Sequence, residues 1–141
     1  MEFIIEPYVG VGKFKFGMTQ NEIKVIANEE PRKFKKFEDD EYQTEAYKDF
    51  FVYYKNPGIC EAIEFFSSAI VIFNGMNILK MPYIDVEEYF LKMDKDLNIG
   101  ATGFISFKYG IALSVPDAVD EPSQKPEGVL VFDKGYYDKY N

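Results

Sequence analysis

The chain contains no histidine. That removes the side chain that most often acts as a general base near neutral pH, and with it the usual serine and cysteine triads and most zinc sites. Tryptophan is also absent, and cysteine occurs once, as Cys60. A single cysteine excludes an intramolecular disulfide and so a disulfide-stapled secreted scaffold. As a nucleophile Cys60 would need a base or a lowered pKa; it reads instead as a small buried apolar residue. Long apolar runs are missing too. The longest, residues 69–73, is far short of the ~20 residues of a membrane helix. The opening Met1-Glu2-Phe3-Ile4-Ile5-Glu6-Pro7 has no basic stretch leading into an apolar one, so no export signal is expected and the expected address is the bacterial cytoplasm.

Basic residues are the minority, 16 against 24 acidic, for a formal charge of −8. This balance argues against nonspecific binding to nucleic acid and against attraction to anionic lipid. It suits either plain solubility or steering toward a protein partner with a basic surface.

What is abundant is aromatic: 14 Phe and 11 Tyr in 141 residues, within a 47% hydrophobic composition. That is ample core material for one domain, rich in strand-forming side chains. Residues 3–5 and the alternating 13–16 read as strands, with Gly10, Gly12 and Gly17 at turns. Thr19-Gln20-Asn21-Glu22 is a capping box, with Ile23 and Ile26 on one face of the helix that follows. That helix should stop near residues 28–30, because Pro31 restricts the residue before it. Strands are expected over 46–54, 59–66 and 69–73, with a hairpin through the acidic stretch before residue 46 and a turn at Asn56-Pro57-Gly58. A second helix is expected from an Asp85 cap to a stop at Gly100, with Val86, Tyr89, Phe90, Met93 and Leu97 at helical spacing. Strands over 103–108, 111–115 and 129–132 follow, and the proline-bearing residues 116–128 read as a loop.

Cap, helix and strands thus occur twice, which points to internal repeats over 12–75 and 78–135 within a single domain 1–141. Residues 70–74 match 129–133 in type, and both Pro57-Gly58-Ile59 and Tyr109-Gly110-Ile111 are turns entering a strand. The expected fold class is α+β: short helices packed on one face of a mostly antiparallel sheet, as two helix-plus-strands repeats side by side.

The stretch Gly12-Lys13-Phe14-Lys15-Phe16-Gly17-Met18-Thr19, followed by a helix and meandering strands, resembles small bacterial domains of the beta-lactamase-inhibitory-protein-like type. It is also similar to the outer-membrane lipoprotein domain called SmpA/OmlA. The resemblance runs from about Gly12 to Gly135 by topology. It implies a helix capped by the Gly-Met-Thr step, packed on an antiparallel sheet, and tandem copies forming one larger concave sheet. It also implies a habit of binding other proteins rather than catalysing reactions, as in cytosolic immunity proteins. The chain departs from these families in having neither a lipidated cysteine near its start nor disulfides, and no specific binding motif carries over.

Other motifs offer little chemistry. Gly10-Val11-Gly12-Lys13 lacks the spacing of a phosphate loop, and Phe14 stands where Ser or Thr is needed. Arg32, Lys33, Lys35 and Lys36 interleave with Phe34 and Phe37, a pattern suited to single-stranded nucleic acid. The acidic run that follows would cancel its field, and cross-strand ion pairing is the simpler account. Glu38, Asp39, Asp40 and Glu41, with Glu45 and Asp49, form the densest acidic cluster. They suit a solvated hairpin tip, a docking patch for a basic partner, or a calcium site, although the EF-hand spacing and glycine are absent. Nothing sets two carboxylates across a cleft for hydrolysis. Tyr136, Tyr137 and Tyr140 crowd the C-terminus, as interface anchors or as cover for the sheet edge. The reading that follows is a non-catalytic protein-binding domain without cofactor, an immunity or inhibitor protein for a basic toxin or enzyme. Glu38, Asp39, Asp40, Glu41, Glu45, Asp49, Tyr136 and Tyr137 would bind the partner. The alternative is a small-molecule or peptide-binding module with an aromatic pocket on the sheet.

Overall fold

The computed structural model describes the backbone of residues 1–140 and the side chains as far as Asp138. The side chain of Tyr140 lies outside the described residues. The N-terminal segment forms β1 (Glu2–Glu6), β2 (Gly10–Val11) and β3 (Phe14–Lys15), and then α1 (Gln20–Ala27). Next come β4 (Arg32–Phe34), β5 (Thr44–Ala46), β6 (Phe50–Lys55), β7 (Ile59–Phe66), β8 (Ile70–Phe73) and β9 (Met76–Asn77). α2 (Tyr83–Met93) is followed by β10 (Asn98–Gly100), β11 (Gly103–Ser106), β12 (Ile111–Ser114) and β13 (Gly128–Phe132), and a 3₁₀ turn, Tyr136–Tyr140, closes the chain.

The fold is α+β, with an eight-stranded sheet in the order β10-β11-β12-β13-β7-β6-β5-β4 and a five-stranded sheet in the order β3-β2-β1-β8-β9. Each helix is followed by an antiparallel meander, β4 to β7 after α1 and β10 to β13 after α2, and the two meanders join where β13 pairs with β7. The passes therefore agree in topology, but the residue match expected from sequence is displaced. The strand occupying the place of β13 is β7. β8, which resembles β13 in composition, leaves the large sheet and pairs parallel with β1, Phe3 opposite Val71. Short apolar strands look alike in sequence, and only their partners tell them apart.

α1 forms as expected. Glu22 N–H donates to Thr19 Oγ1 at 3.2 Å, and Thr19 N–H donates to Glu22 Oε1 at 3.0 Å. Asn28 ends the helix in the left-handed region, φ 55°, a conformation asparagine tolerates. α2 differs at both ends. It starts at Tyr83, which places Asp85 in the first turn rather than at the cap, and no side chain caps it. Carbonyls of the 116–127 loop do this instead: Tyr83 N–H donates to Gln124 O at 2.7 Å and Ile84 N–H to Pro122 O at 2.8 Å. The helix ends at Asp94, well before Gly100, and the buried Asp94 carboxylate accepts from Ser106 Oγ at 2.8 Å and Asp96 N–H at 3.0 Å. Residues 98–100 become an edge strand, not helix. The strand expected over 46–54 is likewise broken, because the chain turns at 47–49 and β5 folds back on β6.

One core fills the space between the inner face of the large sheet, the helices and the small sheet. The Phe65 ring is tilted against Phe3 with centroids 4.7 Å apart, and the Phe90 centroid lies 4.8 Å from that of Phe104 and 5.2 Å from that of Phe73. Burying each such ring contributes about 1.5–3 kcal/mol. Both helices pack on this side, Ile23 from α1 and Tyr83, Val86 and Phe90 from α2. Among the described residues no helix is long and apolar enough to cross a membrane.

Candidate functional site

No α-helix covers the outer face of the large sheet; the closing 3₁₀ turn packs on part of it through Tyr136. Residues directly opposite across paired strands share a face, and the register lays one row across the whole sheet: Asn98, Ile105, Ala112, Leu130, Glu64, Phe51, Ala46 and Arg32. A parallel row holds Phe132, Ala62 and Tyr53. A third holds Gly103, Ser114, Gly128 and Phe66. The first row is apolar at its centre except for Glu64. The third is nearly bare of side chains on the β11–β13 side, and that is why a groove of about 330 Å³ opens there. Its floor is Gly103, Ser114 and Gly128, and Ile105, Leu130 and Tyr137 stand over it.

Beside it lies a smaller cavity of about 160 Å³, lined by Phe37, Asp40, Glu41, Tyr53, Glu61 and Tyr136 among others. Glu61 sits where the β6–β7 register slips, between the Tyr54–Cys60 and Tyr53–Ala62 pairs, and is buried. Such bulges re-aim a side chain out of the ladder. Lys36 lines both cavities. Its ammonium lies 4.8 Å above the Tyr53 ring and donates to the Tyr53 hydroxyl at 3.4 Å. That hydroxyl in turn donates to Glu64 Oε1. The outer face therefore has a polar centre, Lys36–Tyr53–Glu64, set among apolar side chains.

The residues expected to bind a partner divide. Glu38, Asp39 and Glu41 are exposed on the connection from β4 to β5, and Glu41 lines the smaller cavity. Asp40 is half-buried and holds the turn, its Oδ2 accepting from Phe37 N–H at 2.9 Å. Asp49 lies on the 47–49 turn, accepts from Ser68 Oγ at 2.8 Å and borders the hollow beside Ile26 and Ala27 of α1. Glu45 must be corrected. It is 2% exposed, on the inner face opposite Val52, and engages Tyr54. A residue so enclosed offers a partner nothing. Tyr136 is largely buried against Phe132 as part of the outer-face cover and lines the smaller cavity, while Tyr137 is half-buried with its ring 5.0 Å from Phe132. Among the described residues no group of three or more carboxylates or thiols gathers to hold a metal ion.

Cross-strand pairing of the basic run takes a different course from that expected. Lys33 faces Glu45 on β5 at 3.7 Å, and Arg32 lies over Phe34 at 5.4 Å. Glu64 was not singled out in the sequence, and Lys36 entered only as one of the basic residues interleaved with Phe34 and Phe37. The signal for Glu64 was present, one carboxylate alternating between Ile63 and Phe65, but it reads only as an outward position. Nothing in the sequence places Lys36 over Tyr53.

Comparison with protein-family models, curated proteins and solved structures finds no match for this chain.

Proposed function

We propose that this chain is a non-catalytic protein-binding domain, an inhibitor or immunity protein that neutralises a basic toxin or enzyme in the bacterial cytoplasm. The observation that carries the reading is the outer face of the eight-stranded sheet. It has no α-helix over it, only the closing 3₁₀ turn at one end, carries an apolar stripe around Tyr53 and Glu64, and is bordered by the acidic 38–41 connection. Aromatic side chains in a partly desolvated centre with charged groups at the rim are the usual anatomy of a protein interface. The formal charge of −8 supports a basic partner, since complementary fields raise association rates. Glu38, Asp39 and Glu41 would steer the encounter.

The test is affinity capture from cell lysate with the wild-type chain and with Glu38→Lys/Asp39→Lys/Glu41→Lys, washed at low and then high salt. A basic protein retained in one-to-one amount, released by salt and bound more slowly by the triple variant is the expected result. An empty lane, or identical kinetics for both chains, defeats it. The volume of the groove, at the lower end of the range for small-molecule sites, favours a second reading as a metabolite-binding module. Thermal stabilisation by a metabolite with no captured protein would select that reading.

A further inference from the structure

We propose that the hollow at the C-terminal end of α1 is a binding site for a small apolar primary amine, one ring or branched alkyl group carrying an ammonium on a short linker. The hollow lies at the seam between the two sheets and shares no lining residue with the outer-face cavities, so the inference goes beyond the protein-binding reading. Its inner wall is aromatic. Phe3 and Phe14 come from the small sheet and Phe50 from the large one. All three are buried, with ring centroids 6.3 Å (Phe3–Phe14), 5.8 Å (Phe3–Phe50) and 5.1 Å (Phe14–Phe50) apart. Ile26 of α1 closes one side. The volume, about 170 Å³, is close to the ~150 Å³ of an apolar cavity that admits benzene. It is too small for the larger ligands that fill sites of about 300–1,000 Å³.

The mouth is negative for two reasons. Glu29 and Asp49 both line the hollow, and no lysine or arginine does. Glu29 Oε2 accepts from Lys48 N–H at 3.2 Å, and Asp49 Oδ1 accepts from Ser68 Oγ at 2.8 Å. These neutral donors hold the carboxylates in place and leave their charge uncompensated. Among the described residues neither carboxylate has a cation within ion-pair distance, and Lys24, the basic residue of the last helical turn, is paired with Glu30. The second reason is α1 itself, which ends at Ala27 on the wall of the hollow and directs the negative pole of its dipole there. An ammonium at the mouth would donate to the carboxylates while its apolar body covers the three rings. A carboxylate on the ligand would meet like charge. Amino acids and aryl acids are therefore turned away, and an amine without the acid group is selected.

The probe is phenethylamine, titrated into the full ¹⁵N-labelled chain. Phenylpropionate, with a carboxylate in place of the ammonium, and phenylalanine serve as comparisons. Phenethylamine should shift the Phe3, Phe14, Phe50 and Asp49 amides saturably, and added salt should weaken it. Phenylpropionate should shift none of them, and phenylalanine should bind about tenfold more weakly than the amine or worse. Glu29→Gln and Asp49→Asn keep the acceptors for Lys48 and Ser68 and remove only charge. Each should weaken phenethylamine about two- to fivefold. Ala27→Leu should fill the hollow from the half-buried side of α1 and abolish binding, while the amides of β7 and β13 keep their positions. The absence of any saturable shift overturns the inference. So do equal binding of phenylpropionate, shifts confined to the outer face around Tyr53, or undiminished binding by both carboxylate variants. Because no residue is shared with the outer face, capture of a protein partner there leaves this result unaffected, and failure to capture one does not supply it.

Discussion

The Tyr54 hydroxyl donates a 2.5 Å hydrogen bond to Glu45 Oε1 on the inner face of the large sheet, where both side chains are buried. Strand pairing puts them there, since Glu45 faces Val52 across β5 and β6 and Tyr54 follows on the same side of β6. Lys33, opposite Glu45 on β4, reaches in from the rim to 3.7 Å from Oε2. The Tyr47 hydroxyl is buried beside the same carboxylate without closing a well-aligned hydrogen bond. Burial, and then the bond to Glu45, pushes the Tyr54 phenol far above its ordinary value, and burial and then the Glu45 charge push Tyr47 up as well.

This cluster sets an alkaline limit. A phenol whose folded pKa exceeds its unfolded value keeps its proton while the unfolded chain loses it. The stabilisation is therefore whole below about pH 10, the value of an unfolded tyrosine, and is lost as the pH rises beyond it. Tyr54→Phe should cost about 1–3 kcal/mol at neutral pH, because Glu45 is left without its buried donor. The variant should also lose stability less steeply above about pH 10. Urea denaturation across neutral and alkaline pH measures both effects.

Cys60 should be inert in the folded protein. It has no exposed surface, and burial pushes its thiol up to about 12. Iodoacetamide at mildly alkaline pH should label it only as fast as the chain opens, and rapidly in urea. Cys60→Ser should be less stable than Cys60→Ala by about 1–3 kcal/mol, because a hydroxyl would replace a thiol in an apolar site. Rapid labelling of the native protein would contradict the buried placement.

The two helix starts predict unequal costs. Thr19→Ala breaks a reciprocal cap and should lose about 1 kcal/mol. Asp85→Ala removes only a first-turn charge and should lose about 0.3–1 kcal/mol, screened away by salt. Deleting residues 119–124 should instead expose the Tyr83 and Ile84 amides, whose hydrogen exchange reports the loss of the Gln124 and Pro122 carbonyls.

Gly103 is the most constrained point of the groove floor. Its φ of 133° is one that side-chain-bearing residues rarely adopt, and a Cβ would fall 1.9 Å from Leu113 O in the paired strand. Gly103→Ala should cost more than the ~1–3 kcal/mol of backbone strain alone, by forcing β11 away from β12. Gly75→Ala meets no atom and should show only the strain. Melting temperatures of the two variants separate clash from conformation.

Local chemistry alone specified a good part of this protein. Thr19 and Glu22 cap α1 through atoms within one turn, the apolar run over 59–66 after the Asn56-Pro57-Gly58 turn makes a strand, and the absence of histidine and of a second cysteine closed whole classes of chemistry. The α+β class followed from the order of such pieces. What the sequence left open depends on contacts between distant residues. The α2 start is set by carbonyls from the loop near residue 122, so Asp85 looks like a cap and is not one. β8 and β13 are nearly the same in composition and are assigned to different sheets by their partners. Glu45 reads with Glu38 and Glu41 as one acidic cluster, until strand pairing turns its side chain into the core and leaves theirs in water. Glu64 meets Tyr53 because β6 and β7 lie side by side, and Lys36, 28 positions from Glu64, reaches the same ring from the connection that follows β4. A carboxylate's identity is written in the chain, but the face it occupies is decided by the register of its strand, and a shift of one residue would reverse it.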